Sequence, residues 1–132
     1  ILPQNHPLAG ESQIRLEQLK EDPFILFNEG YSLRKIVWDA CMEAGFTPKI
    51  AFEGEETDTI RGLVAAGMGV SLLPHHALQE ITPLQPVMVR VTEPKVIRTI
   101  GLIRRVDEKL PLVAEVFRHF LLQYFQEYTI RR

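Results

Sequence analysis

The sequence predicts an α/β domain built on a parallel sheet, and three observations predict it. Residues 51–74, AFEGEETDTIRGLVAAGMGVSLLP, read as strand, helix, strand. The same order occurs just upstream, where the apolar run FILF precedes a helical pattern opening at Ser32 and a second strand opening at Lys49. Strand–helix–strand units call for parallel pairing with right-handed crossovers. The third observation is composition: 45% of the 132 residues are hydrophobic and 24% charged, enough to bury a real core. Such a sheet offers a crevice beyond the carboxyl ends of its strands.

The elements follow in order. Ile1 and Leu2 end a strand that runs into Pro3, and Pro7 after His6 prolongs the turn. Residues 16–19 suit one helical turn that stops before Asp22-Pro23. Residues 24–27 form a strand covered on both faces, since all four are apolar. Asn28, Glu29 and Gly30 make a loop. A helix spans 32–44, with Leu33, Ile36, Val37, Ala40, Cys41 and Ala44 on one face and Arg34, Lys35 and Asp39 left for solvent or an interface. Gly45 closes it. Residues 49–52 form the next strand, Gly54 releases the backbone, and Glu55, Glu56 and Asp58 open a helix at its positive dipole end. Ile60, Leu63 and Val64 share a face. Gly67 ends that helix in the left-handed conformation, Gly69 permits a close approach, and residues 70–73 read as a buried strand.

Past Pro74 the pattern changes. Residues 75–80 suit a short helical turn, and Pro83 and Pro86 interrupt the chain. Val87, Val89 and Val91 alternate with Met88 and Arg90, as on an edge strand. Residues 97–104 read as another strand, joined by 92–95 as a possible hairpin. In the last helix Val113, Val116, Phe117, Phe120, Leu121 and Tyr124 make an apolar stripe that Leu112, Leu122 and Phe125 widen beyond a single contact surface. That helix wants partners on more than one side.

Composition excludes several classes. A net charge of -2 gives no field to draw nucleic acid to these residues. One cysteine, Cys41, rules out an internal disulfide and fits a reducing, cytoplasmic compartment. No apolar run reaches the roughly 18 residues of a membrane span, and nothing at the N-terminus resembles a signal peptide. The chain starts at Ile1 without an initiator methionine, which reads as a fragment of a longer protein.

Chemistry concentrates at the strand ends. The loop NEGYSLR places Asn28, Glu29, Gly30, Tyr31 and Ser32 at a helix N-terminus, whose free amides bind carboxylate, phosphate or sulfate. Ser32 is equally an ordinary N-cap and Tyr31 a surface aromatic. Glu53, Glu55, Glu56 and Asp58 can be an acid/base pair, a cation site or a solvated helix start, and no histidine at ligand spacing supports a metal. Thr57 and Thr59 can supply polar contacts. The His75-His76 pair, His6 and His119 lack the spacing of a metal site, and Cys41 lies on an apolar face as an inert thiol. Gly67-Met68-Gly69 is no nucleotide fingerprint, and no cofactor motif is present.

LPQNHPLAG, LFNEGYSLRKIV, FEGEETDTIRGLVAAGMGVSLLP, RTIGLIRR and LPLVAEVFRHFLLQYF occur in the order of the effector-binding region of LysR-type transcriptional regulators. The chain resembles that family over nearly its whole length. The resemblance implies a Rossmann-like, three-layer αβα lobe of a fold similar to type 2 periplasmic binding proteins, apparently truncated. Residues 1–91 resemble the second regulatory lobe and 92–108 a return crossover. Residues 109–132 resemble a helix that packs on a mostly absent first lobe.

The implied function is that of an effector sensor, not an enzyme, and no cofactor is implied. A small anionic metabolite would bind in a cleft between lobes, against residues 28–32, with Gly54, Glu55, Glu56 and Thr57 as further contacts. DNA would be met only through an upstream helix-turn-helix, by a homodimer or homotetramer with no membrane contact. Tyr31-Ser32 departs from the family's frequent small hydroxyl residue followed by glycine. The alternative is a solute-binding protein or binding subunit of the same fold. A small enzyme would need a partnered acid, base or nucleophile, which the sequence does not display, and an interaction module would fill the cleft with side chains.

Overall fold

The computed structural model describes residues 1–75 and 85–130. The chain divides into two units, Ile1–Thr99 and Ile100–Arg132. In the first, β1 (Gln13–Arg15) leads into a 3-10 turn (Leu16–Leu19), then β2 (Pro23–Phe27), α1 (Ser32–Glu43), β3 (Lys49–Gly54), α2 (Thr57–Ala65) and β4 (Arg90–Glu93).

β2 and β3 are parallel, with Pro23 opposite Lys49 and Phe27 opposite Gly54. On the other edge of β2, the Val70 amide donates to the Pro23 carbonyl and the Ile25 amide to the Val70 carbonyl, both at 2.8 Å. The Ser71 amide donates to the Ile1 carbonyl at 3.2 Å, and Leu2 exchanges two backbone bonds with Val87. The sheet order is therefore β3, β2, Val70-Ser71, Ile1-Leu2, Val87. The strand predicted over 70–73 contracts to a bridge at Val70, where the Ile25 carbonyl, the next acceptor of the ladder, accepts from the Ser71 hydroxyl at 2.7 Å.

Successive side chains of β2 point to opposite faces. Phe24 and Leu26 pack with Val37, Ala40 and Cys41 of α1. Ile25 and Phe27 pack with Ile60 and Val64 of α2. The sheet is thus sandwiched between two helices, the three-layer arrangement predicted, and it explains why all four apolar residues of β2 are buried. β3 lies at the sheet edge, and its side chains are mostly exposed.

Both helices end as the sequence requires, at Gly45 and Gly67 with φ of +86° and +82°. Gly69 does a different job. A Cβ there would stand 2.5 Å from the Pro23 carbonyl oxygen, so only glycine lets residue 70 approach β2.

Three expectations need correction. β4 pairs in parallel with β1, Ile14 opposite Val91, so residues 92–95 do not turn a hairpin. Residues 97–104 form no strand; a strand exists only with a neighbour to complete its hydrogen bonds, and none of the described residues provides one. Arg34 is not left to solvent. The short turn predicted over 75–80 lies outside the described residues beyond His75.

The second unit carries α3 (Leu112–Ile130). Val113, Val116, Phe117 and Phe120 on its apolar face are all exposed. Among the described residues, no helix is long and apolar enough to cross a membrane.

Candidate functional site

Parallel pairing brings two loops distant in sequence to one end of the sheet. Phe27 sits opposite Gly54, and the Asn28 amide extends the ladder by donating to the Gly54 carbonyl at 3.0 Å. One residue further on, the Asn28 side-chain amide donates to Glu55 Oε1 at 3.1 Å. Residues 28–32 and 54–57 therefore adjoin. The contact holds Glu55 to the first loop, which a solvated helix start does not require.

α1 opens at Tyr31, whose extended backbone (φ -80°, ψ 132°) makes it the N-cap, without a side-chain cap. Ser32 is the first helical residue, not the cap. α2 opens in the same way at Glu56, again with no side-chain cap. The Tyr31 ring stacks on Phe27, centroids 5.7 Å apart. This stack fixes an aromatic wall at the mouth of α1.

An open cleft of about 430 Å³ lies against this helix end, and Glu29, Gly30, Tyr31 and Ser32 line it. Asn28, Gly54, Glu55, Glu56 and Thr57 do not line it. Arg34, Lys35, Trp38 and Asp39 complete the wall, and of these Arg34 is the most consequential. Its Nη1 donates to the Phe27 carbonyl at 2.9 Å and pairs with Glu53, and its Nη2 lies 3.8 Å from Glu29. The side chain is only 15% exposed. Lys35 pairs with Asp39 at 2.6 Å.

The sequence did carry a signal for Arg34. A helix N-terminus is the positive end of the dipole, where a cation is disfavoured. α1 has no acidic residue in its first turn, yet Arg34 and Lys35 follow its start directly. Such a pattern calls for anions brought from elsewhere, and Glu53 and Glu29 are two of them.

The histidines do other work. The Leu8 amide donates to His6 Nδ1 at 3.1 Å, which leaves Nε2 as the donor to Asp22, also at 3.1 Å. The spacing gave no sign of that carboxylate partner, because it comes from a separate turn. His119 Nδ1 lies 2.9 Å from the Glu115 carbonyl within α3. Among the described residues, no three acidic, histidine or cysteine side chains are grouped to hold a metal ion. Cys41 is fully buried and burial pushes its thiol up to about 12, so it has the character of a core residue.

Residues 1–126 match the LysR substrate binding domain model. The chain belongs to the LysR family. It is 42% identical over 127 residues to the transcriptional dual regulator GltC of Bacillus subtilis, covering 96% of this chain and 42% of that protein. The effector-binding domain of QuiR in complex with shikimate superposes with a TM-score of 0.80 at 28% identity, over 96% of this chain and 59% of that one. The BenM effector-binding domain with its effector benzoate gives 0.62 at 26% identity, over 72% and 44%. The chain spans about two fifths of the length of the curated relatives it matches.

The LysR assignment makes this chain a lobe of an effector-binding domain with the type 2 periplasmic-binding-protein-like fold. The curated relatives it matches are named as transcriptional regulators and not as enzymes. A solute-binding protein of the same fold loses its support on the same ground.

Proposed function

We propose that this domain senses a small anionic metabolite held at the N-terminus of α1, between this lobe and a first lobe supplied by the rest of the regulator. The observation that carries the reading is the cleft itself, where the start of α1, the Tyr31 ring, Ser32, Arg34 and Lys35 converge. The amides at the start of a helix favour an anion. The ligands named for QuiR and BenM, shikimate and benzoate, are both carboxylates.

Both cations already have carboxylate partners. An anionic ligand therefore gains little from charge alone and must draw its affinity from enclosure. An open surface on one lobe supplies only part of that. Closure of a second lobe over the ligand supplies the rest and gives the ligand its differential affinity for two conformations. In this reading closure changes how two or four subunits sit on DNA through an upstream helix-turn-helix, in the cytoplasm. The exposed face of α3 packs on the first lobe.

The test is calorimetric titration of the full-length regulator against a panel of small organic and inorganic anions. One or more should bind, and Tyr31→Ala and Ser32→Ala should each weaken that binding while the fold is kept. Absence of binding across the panel, or undiminished binding in both variants, overturns the placement.

A further inference from the structure

We propose that Arg34 is the positioning residue of this cleft: its guanidinium ties the end of β2 and the first turn of α1 to the end of β3, so that residues 54–57, outside the cleft lining, are held in register with residues 29–32, which line it. The inference rests on the cleft reading above and adds to it the element that gives the cleft its shape.

The geometry is that of a clamp. Arg34 reaches back from the first turn of α1 to the Phe27 carbonyl, the last of β2, across to Glu53 near the end of β3, and towards Glu29 in the loop. Two further bonds, both from Asn28, join the loops directly. The Asn28–Gly54 backbone bond holds the strand ends, and the Asn28–Glu55 side-chain bond is exposed to solvent. Exposure also shows which partner is the anchor: the Arg34 side chain is 15% exposed, Glu53 42% and Glu29 88%. The guanidinium is fixed, and Glu29 approaches it from the solvent side.

A planar fork with five donors can serve a carbonyl and two carboxylates together. A lysine ammonium on its flexible stem presents a single point of charge and cannot reproduce that spread. Arg34 also sits where the dipole of α1 disfavours a cation. Its carboxylate partners offset that cost, and in return Glu53 and the Phe27 carbonyl are satisfied at the rim of the cleft.

Hydrogen–deuterium exchange by mass spectrometry on the full-length regulator tests this, with Arg34→Gln and Arg34→Lys as variants. In Arg34→Gln, peptides covering residues 28–33 and 54–58 should exchange about ten-fold faster or more, the effect of losing one charged hydrogen bond. Peptides covering 24–26 and 60–64 should be unchanged, and Arg34→Lys should restore less than half of the lost protection. Equal acceleration of the core peptides would make Arg34 a general support of the fold and overturn the proposal, as would unchanged exchange at both loops.

A second arm separates this inference from the cleft reading. Sodium sulfate at constant ionic strength should protect both loops together in the unmutated protein, but only residues 28–33 in Arg34→Gln. Joint protection that persists in Arg34→Gln overturns the clamp and leaves the cleft reading intact. If sulfate protects neither loop in the unmutated protein, that counts against the anion site, and the sulfate-free exchange rates still decide the clamp.

Discussion

The ring of Tyr31 stacks on that of Phe27 with 24° between their planes, although Phe27 is buried at the end of β2 and Tyr31 is 42% exposed at the start of α1. The stack joins the core to the cleft wall, so the bulk of Tyr31 is fixed rather than free to swing. A stacked aromatic pair contributes about 1 kcal/mol beyond its burial. Tyr31→Ala should therefore lower the urea midpoint by an amount corresponding to about 1 kcal/mol, whereas Tyr31→Phe should leave it unchanged. Equal midpoints for Tyr31→Ala and the unmutated domain would show that the stack contributes nothing. In Tyr31→Phe the wall survives without its hydroxyl, so a loss of ligand binding there would assign the hydroxyl a direct contact.

Two glycines make opposite predictions. At Gly69 a Cβ would lie 2.5 Å from the Pro23 carbonyl oxygen and 3.2 Å from Ile25 Cγ1. Neither neighbour can retreat, since Pro23 opens β2 and Ile25 is fully buried. Gly69→Ala should destabilise by about 2 kcal/mol or more. Gly62 lies exposed within α2 with no atom within 4 Å of the Cβ position. Gly62→Ala should stabilise by up to about 1 kcal/mol, because alanine is the better helix former. Thermal melts of the two variants beside the parent check both signs at once.

How much of this was legible in the sequence depended on how local the cause was. α1, α2 and β2 could be read because their signals repeat within one element: apolar spacing of three and four, a closing glycine, an unbroken apolar run. β1 could not, since only Ile14 of its three residues is buried and its partner β4 lies more than seventy residues away. Residues 97–104 misled for the converse reason. Their β-branched composition suits a strand, but a strand also needs an edge to pair with. The neighbouring of the two candidate loops follows from the parallel pairing of β2 and β3. Arg34 was missed because helical spacing left it only for solvent or an interface, while its partners, Phe27 and Glu53, come from other elements. Spacing sees one helix; the charge opposing the dipole was the clue that pointed beyond it.

Cys41 provides a prediction in pH. Its thiol is fully buried among Phe24, Val37 and Ala40, and burial raises its pKa from 9.0 to about 12. The folded state therefore keeps the proton to higher pH than the unfolded chain does. Below pH 9.0 both states hold it and stability is unaffected. Between pH 9.0 and about 12 the unfolded state binds fewer protons than the folded one, so stability falls as pH rises through this window. Denaturation curves taken across the window should show the decline, and Cys41→Ala should flatten the part of the slope that belongs to the thiol. The same burial predicts that iodoacetamide modifies Cys41 no faster than the domain opens, since the thiolate is the reactive species. Rapid alkylation under native conditions would mean that α1 leaves the sheet far more readily than its packing implies.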